Sequence, residues 1–255
     1  MSSTPRMTSF RELADQKSYP PTPVGTSPID NLNNARITVT LPVHYFCSYY
    51  PQSAIAEGGI ATQEQWDAIK FTKAVKYRTI NGWLHYRGER IDQSRIGRPR
   101  EIFGSFISSI LTKNGLGDLP LVPAPSKDGL VGAATFRTLD MLEECRSGRQ
   151  WKIEPILRMT SEITPASKGG PRGRYVLQPH IKMVAPASSS PVVLVDDLCT
   201  SGGTVLACFD ILKSNGVEVA AAIVCSFTNR DKNIQPFLQS TTDLQTSSLF
   251  DNIEF

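Results

Sequence analysis

The sequence predicts an α/β protein whose mainly parallel sheet carries helices on both faces. After residue 100, short apolar runs alternate with segments of helical periodicity, and two of these runs end in loops of small and polar residues. Strands that alternate with helices favour parallel pairing, because each crossover helix returns the chain to the same edge of the sheet. Ligands of such sheets bind at the carboxyl ends of the strands, so both loops are candidates for a site.

Composition sets wide limits on the function. The 255 residues are 40% hydrophobic and 20% charged, with a formal net charge of +3, which suits a globular chain with a sizeable core. The mild positive charge alone does not indicate a nucleic-acid binder, although phosphate-bearing ligands fit it. The five cysteines form no CxxC pair. We therefore expect reduced thiols instead of a zinc ribbon or a disulfide framework.

The chain lacks the features of membrane or export segments. No run approaches the roughly 18 apolar residues of a membrane helix, and the first residues contain no apolar leader. We expect a soluble protein of the cytoplasm with no membrane partner.

We divide the chain into four segments. Residues 1–35 are rich in Ser, Thr, Pro and Asn and predict a flexible arm, because they contain too few apolar side chains to offset the entropy of ordering. Residues 36–100 form a smaller N-terminal segment with many basic residues, and residues 101–230 form the core. Residues 231–255 form a polar C-terminal tail that docks either on the body or on a partner.

The first elements are predicted from periodicity and capping. Residues 35–46 alternate between apolar and polar side chains, as in a half-buried strand, and Pro42 suits an edge position. Residues 62–77 predict a helix that begins at the N-cap Thr62, with Glu64 in its first turn.

The later elements follow the same logic. Ile102, Phe106 and Ile110 recur every four residues, which is typical of a helix that packs on one side. Further helices are predicted over 102–115, 130–145 and 203–216, and further buried strands over 119–125, 192–197 and 218–227.

Residues 191–204, PVVLVDDLCTSGGT, give the strongest chemical signal. A buried strand leads into two adjacent acids, Asp196 and Asp197, and then into small residues that open a helix. The free N–H groups of a helix start attract anions, and Gly202 and Gly203 let the backbone approach a ligand closely. The pattern therefore predicts a phosphate cradle. Hydroxyl donors for it come from Thr200, Ser201 and Thr204.

The acids beside this cradle cannot themselves bind phosphate. They suit the hydroxyls of a sugar, or a hydrated magnesium ion, close to that phosphate. The segment lacks the lysine of a Walker loop and the GxGxxG pattern of a dinucleotide-binding turn. A sugar phosphate is thus the predicted ligand.

VVLVDDLCTSGGT resembles the phosphoribosyl pyrophosphate (PRPP) signature of type I phosphoribosyltransferases. This resemblance implies that family's fold over about residues 100–228, with a small N-terminal hood before it. It implies that Asp196 and Asp197 bind the ribose of PRPP. The residues that it assigns to the 5′-phosphate are Cys199, Thr200, Ser201, Gly202, Gly203 and Thr204.

Two further loops resemble parts of the same family. Residues 121–129, LVPAPSKDG, are similar to the pyrophosphate loop, which implies that Ser126 and Lys127 bind the diphosphate; an ordinary proline-bounded turn is the alternative. Residues 157–179 lie where the family carries a mobile loop that closes over the reaction centre. A plain solvated loop is the alternative there. The candidate cations of this lid are Lys168, Arg172 and Arg174.

The order of these loops resembles the ComF-type branch of the family. Residues 74–83 also resemble that branch's early lysine segment. The four-cysteine zinc module of the branch is absent, and LVGAATFRT stands in place of its RGFNQ-like stretch.

The resemblance implies an enzyme that transfers the 5-phosphoribosyl group of PRPP to a nitrogen acceptor and releases pyrophosphate. The catalytic residues would be Asp196, Asp197 and Lys127, with Mg²⁺ as the cofactor. The acceptor is not identified, and homodimers are common among the relatives. The alternative is a non-catalytic regulatory module that binds PRPP or a nucleotide.

Two features leave other interpretations open. Nine basic residues lie between Lys70 and Arg100, with Trp83, His85 and Tyr86 among them. This segment would bind nucleic acid, select the acceptor as the hood, or form a solvated face. Cys199 is either a low-pKa thiol at a helix start or a small neutral side chain beside the phosphate.

Overall fold

The computed structural model describes residues 40–51, 61–164, 170, 173–229, 231 and 233–246. The predicted N-terminal arm and the start of the first predicted strand lie outside these residues. All of the described residues belong to one compact unit. Within the described ranges, every helix is too short or too polar to cross a membrane.

Strands and helices alternate along the described chain. The α-helices are α1 (Gln63–Tyr77), α2 (Arg98–Lys113), α3 (Arg137–Arg146), α4 (Arg174–Leu177) and α5 (Gly203–Ser214). The strands are β1 (Thr40–Tyr49), β2 (Trp83–Tyr86), β3 (Glu89–Asp92), β4 (Leu121–Pro123), β5 (Leu157–Met159), β6 (Ile181–Met183), β7 (Val192–Cys199), β8 (Val219–Thr228) and β9 (Ser240–Gln245).

A five-stranded sheet organises the fold in the order β4-β7-β8-β1-β9. The first four strands of this order are parallel, and β9 pairs antiparallel with β1. The predicted α/β class with a mainly parallel sheet is confirmed. The order also places the carboxyl ends of β4 and β7 side by side.

Helices cover both faces of this sheet, as predicted. Because side chains alternate along a strand, Val193 and Val195 of β7 pack in one core cluster and Val192 and Leu194 in another. The first cluster contains side chains of α1, α2 and α3, and the second contains those of α5. We call these the α1 face and the α5 face.

The ends of α1 are fixed by hydrogen bonds. Thr62 and Gln65 form a capping box at its start, which confirms the predicted N-cap. At its other end, the backbone N–H of Arg78 donates to Ala74, and the buried Arg100 guanidinium donates to the carbonyl of Val75 at 2.8 Å. The last turn of α1, which approaches the sheet edge, is therefore held in place.

Two predicted elements differ from the structure. The helix predicted from residue 130 begins only at Arg137, because Gly132 has a φ of +89° and the preceding residues pack as a loop. β1 is buried on both faces instead of half-buried, since it lies inside the sheet. Its pairing with β8 begins at Val43, so Pro42 has only β9 beside it.

The structure also adds elements that the sequence did not predict. The predicted lid segment 157–179 begins with β5, which pairs antiparallel with β6, and contains α4 near its end. A hairpin joins β2 and β3 through Arg87 and Gly88, whose φ values of 51° and 80° are those of a type I′ turn. The C-terminal tail docks on the body through β9 and through Phe237, which packs against Phe46 and Phe71. The division into four segments stays a prediction.

Candidate functional site

The two loops singled out in the sequence meet at one edge of the sheet. β4 and β7 pair in register, with Pro123 opposite Val195, and the N–H of Ala124 donates to Val195 at 2.9 Å. The loop that carries Ser126 and Lys127 therefore begins beside the strand end that carries the two acids. This adjacency was expected from the parallel topology.

The two acids point to opposite faces of the sheet. Asp197 continues the row of Val193 and Val195 toward the α1 face, whereas Asp196 continues the row on the α5 face. Both residues are largely buried, with 3% and 9% of their surface exposed. Two neighbouring carboxylates thus lie in two different environments.

Asp197 is paired with a lysine from α1. The ammonium Nζ of Lys76 lies 2.6 Å from Asp197 Oδ1. Burial opposes the charge of Lys76, but the charge of Asp197 and this hydrogen bond outweigh it and raise the pKa of Lys76. The lysine is therefore a fixed cation beside the acid pair.

Asp196 has no such cation within hydrogen-bond distance among the described residues. Burial, followed by the charge of Asp197, raises the pKa of Asp196 to about 7. Its Oδ1 accepts the backbone N–H of Asp197 at 2.7 Å. Near neutral pH this carboxyl can therefore either donate or accept a hydrogen bond.

The predicted phosphate cradle is built around two tightly packed glycines. Gly202 has a φ of +84°, and an added Cβ would lie 2.8 Å from Leu244; a Cβ on Gly203 would lie 3.0 Å from the backbone of Gly173. No side chain caps the start of α5 in the described structure. The free N–H groups of this first turn therefore have no side-chain acceptor at the N-cap.

The hydroxyl residues of this loop differ in exposure. Thr200 and Ser201 are exposed, and Thr204 is half-buried. The 5′-phosphate roles of these side chains stay predictions.

Cys199 is 2% exposed and packs in the core cluster of the α5 face. Burial, with a smaller effect of Asp196, raises the pKa of its thiol to about 12. The interpretation of Cys199 as a low-pKa thiol is therefore wrong, because burial outweighs the helix start.

The loop after β4 is held by its own hydrogen bonds. The Ser126 hydroxyl donates to Asp128 Oδ1 at 2.5 Å, and the N–H of Gly129 donates to the Ser126 carbonyl at 2.7 Å. Lys127 at the tip is exposed. The hydroxyl of Ser126 is thus engaged inside the loop, while the ammonium of Lys127 faces solvent.

A cleft of about 470 Å³ lies on the α1 face beside these groups. It is bounded by four cationic and four acidic side chains and by Tyr77. Lys76 connects the cleft to the acid pair, and Asp128 connects it to the loop of Lys127. The cleft therefore adjoins the predicted diphosphate loop, whereas the cradle of α5 lies outside its lining.

The residues of the predicted lid divide into two groups. Lys168 and Arg172 lie outside the described residues. Arg174 is 8% exposed, and its guanidinium makes two hydrogen bonds of 2.5 Å to the carboxylate of Asp210 on α5 and one to the carbonyl of Thr246. In this structure Arg174 anchors the end of the loop to the body, and its role as a lid cation stays a prediction.

Ion pairs occupy much of the basic segment between Lys70 and Arg100. Five of its nine basic side chains pair with carboxylates, which reduces the charge available to a polyanion. His85 lies against Trp83, with ring centroids 4.6 Å apart. The nucleic-acid role stays a prediction. The paired residues are Lys76, Arg78, Arg95, Arg98 and Arg100.

Sequence reasoning did not assign a role to Lys76, although it is the lysine of residues 74–83, which resemble the early lysine segment of the ComF-type branch. A signal for it exists, because Ala68, Thr72 and Lys76 follow one another at intervals of four along α1, and the first two are buried. A lysine that continues a buried row needs a counter-charge. The identity of that counter-charge depends on the tertiary fold.

Comparison with protein families relates this site to a known domain. Residues 167–255 match the family model described as the phosphoribosyl transferase domain. This part of the chain is therefore similar to that domain. The match includes both acids and the glycine turn, and it supports phosphoribosyl transfer, a glycosyltransferase-type reaction, as the class of activity.

The likeness to solved structures is more distant. Among solved structures, the chain is similar to a UMP synthase of Leishmania donovani, with 16% identity and a TM-score of 0.33. The likeness covers 64% of this chain and 31% of that one, so the chain spans less than a third of that protein's length. No curated protein matches the sequence.

Proposed function

We propose that this protein binds PRPP together with Mg²⁺ and transfers the 5-phosphoribosyl group to a nitrogen acceptor, releasing pyrophosphate. The observation that carries the proposal is the meeting of three groups at one sheet edge. These are the acid pair near the carboxyl end of β7, the uncapped glycine turn that opens α5, and the lysine loop that follows β4. A ligand with a sugar between a phosphate and a diphosphate needs these three kinds of contact.

Each group then has a separate task in binding. The 5′-phosphate would accept hydrogen bonds from the first N–H groups of α5 and from the hydroxyls of Thr200, Ser201 and Thr204. Asp196 and Asp197 would bind the ribose hydroxyls. Lys127 would neutralise the diphosphate, with backbone N–H groups of its loop.

The reaction breaks the bond between C1 of the ribose and a diphosphate oxygen, and the acceptor nitrogen forms the new bond with its lone pair. Positive charge develops on the sugar, near the carboxylate of Asp197, and negative charge develops on the leaving diphosphate, near Lys127. Groups that are fixed in place before the reaction stabilise such charges without reorganisation. Removal of one such contact typically costs on the order of a hundredfold in rate.

The residues present fit a magnesium ion that is held mainly by the substrate. Within the described ranges there is no group of three or more His, Cys, Asp or Glu that could hold a metal ion. Mg²⁺ is commonly bound through one or two carboxylates together with substrate phosphates, and it keeps several waters. Asp196 and Asp197 would contact those waters, and the ion would supply positive charge to the diphosphate.

The double variant Asp196→Asn with Asp197→Asn tests the proposal. We expect it to lose measurable binding of PRPP in calorimetry while it retains the circular dichroism spectrum of the wild type. Retained affinity would exclude the ribose role of the acid pair.

An assay of pyrophosphate release separates a transferase from a regulatory module that only binds PRPP. It would be run on the wild type with PRPP, Mg²⁺ and a panel of nitrogen bases, amines and amides. Release that depends on one acceptor class supports transfer. Binding without release for every acceptor class would favour the non-catalytic module.

A further inference from the structure

The side chain of Lys76 links helix α1 directly to the acid pair. Its Nζ lies 2.6 Å from Asp197 Oδ1, and the two side chains are 25% and 5% exposed. The partners are 121 positions apart in the chain. An ion pair this short and this sheltered is a fixed part of the site, unlike a solvated surface pair.

The backbone on which Lys76 lies is also fixed. Arg100 donates to the carbonyl of Val75 at 2.8 Å and reaches the carbonyl of Lys76 itself at 3.5 Å. The guanidinium of Arg100 pairs in turn with Glu144 of α3 at 2.9 Å. The ammonium is therefore placed by three helices that cover one face of the sheet.

The ammonium of Lys76 also changes the net charge of the site. PRPP carries a phosphate and a diphosphate, and two adjacent carboxylates without a counter-ion would repel it. The ammonium cancels one of those charges and holds Asp197 through Oδ1. Among the described residues, the second oxygen, Oδ2, makes no hydrogen bond, so it is free to accept one from a ribose hydroxyl.

We infer that Lys76 is a positioning residue. Its ammonium orients Asp197 toward the ribose and provides a permanent positive charge on the α1 face of the acid pair. This inference rests on the proposed function. It assigns to a helix outside the matched family segment a part in binding the substrate. It also implies that a bound magnesium ion and Lys76 partly replace one another in neutralising the site.

Three variants test this role by calorimetric titration with PRPP, each with and without Mg²⁺. Lys76→Met removes the charge and keeps the length of the stem, and Lys76→Arg keeps the charge. Lys73→Met is the matched control, because Lys73 is exposed on the same helix one turn earlier. Thermal unfolding of each variant shows whether the fold is retained, and Lys76→Gln replaces Lys76→Met if the latter does not fold.

We expect Lys76→Met to weaken PRPP binding about tenfold or more without Mg²⁺, as for the loss of one charge-assisted contact. The loss should become smaller when Mg²⁺ is present. Lys76→Arg should recover most of the affinity, and Lys73→Met should bind within about twofold of the wild type.

The outcomes separate the two claims. Equal affinity of Lys76→Met and the wild type, or an equal loss in Lys76→Met and Lys76→Arg, would overturn the positioning role while the proposed function stands. Tighter binding by Lys76→Met would show that the ammonium blocks the ribose position. A wild type that does not bind PRPP would overturn the proposed function itself.

Discussion

The two faces of the sheet at the end of β7 treat neighbouring carboxylates differently. On the α1 face, Asp197 meets the ammonium of Lys76 beside a cleft bounded by cationic and acidic side chains in equal number. On the α5 face, Asp196 lies within electrostatic reach of the buried thiols of Cys199 and Cys208. The same residue type at adjacent positions therefore has a counter-ion on one face and an apolar surrounding on the other.

The two acids of the motif are therefore not equivalent. Asp197 is held by a hydrogen bond to a fixed cation, the ammonium of Lys76. Burial raises the pKa of Asp196 to about 7, so its carboxyl is shared between the neutral and charged forms at physiological pH. We therefore expect the two positions to respond differently to the same substitution.

The largest effect is expected for Asp197→Asn. It removes the counter-ion of Lys76 and leaves a mostly buried ammonium without its partner, which should lower the free energy of unfolding by about 2–4 kcal/mol. PRPP affinity should fall by about a hundredfold or more. Denaturant unfolding and calorimetry measure the two quantities, with Asp196→Asn as the control. Equal destabilisation by both substitutions would contradict the asymmetry.

Lys127→Ala should have a smaller and more selective effect. Because Lys127 is exposed at the tip of the diphosphate loop, its loss should weaken PRPP binding about tenfold and leave ribose 5-phosphate binding nearly unchanged. Competition titrations with both ligands give the ratio. If both ligands lose affinity equally, Lys127 does not belong to the diphosphate site.

Gly202→Ala tests whether the glycine turn that opens α5 is held by its contact with Leu244. Its φ of +84° disfavours a side chain, and the new Cβ would lie 2.8 Å from Leu244. Gly216→Ala is the matched control, because Gly216 has a similar φ of +76° with open space around it. We expect each to lower stability by about 1 kcal/mol from backbone strain, with a further loss of about 1 kcal/mol for Gly202→Ala.

Thermal unfolding of the two glycine variants measures this difference. Identical losses would show that Leu244 yields to the new side chain. In that case the contact does not fix the turn.

The effect of Asp196→Asn on stability has the opposite sign to that of Asp197→Asn, and it depends on pH. The pKa of Asp196 is higher in the folded protein than its ordinary value near 4, so the folded state binds this proton more tightly than the unfolded state. Its stabilising contribution is fully present below about pH 4 and is lost as the pH rises through about 7. Asp196→Asn should therefore raise stability at pH 8 and flatten the profile between pH 5 and 8.

Melting temperatures of wild type and Asp196→Asn across this pH range provide the measurement. About 2–4 °C per kcal/mol is expected for a chain of this size. A variant that is less stable than the wild type at pH 8 would contradict the environment assigned to Asp196.

Local patterns predicted most of what is local in this fold. The N-cap Thr62 and the helix that follows the glycine turn depend on neighbours in the sequence, and both were predicted correctly. The strand that carries the acids was also predicted, but it continues two residues beyond them, to Cys199. The parallel topology then brought the loops after β4 and β7 together. The hairpin of β2 and β3 was missed, because its strands are four residues long and its turn is Arg-Gly instead of the usual Asn-Gly.

Contacts between distant segments could not be predicted. The partner of Lys76 depends on how α1 lies over the sheet, and the anchoring of Arg174 depends on the position of Asp210 on α5. The sequence of β9 is mostly polar and is typical of an exposed tail, and its strand structure depends on pairing with β1. The asymmetry of the acid pair therefore required the structure.

Calorimetric titration of the wild-type protein with PRPP, with and without Mg²⁺, directly tests whether this site binds PRPP. We expect micromolar binding of PRPP that Mg²⁺ strengthens, together with weaker binding of ribose 5-phosphate to the same site. Absence of PRPP binding under both conditions would contradict it, and would mean that the sheet edge holds a different phosphate or serves only as scaffold.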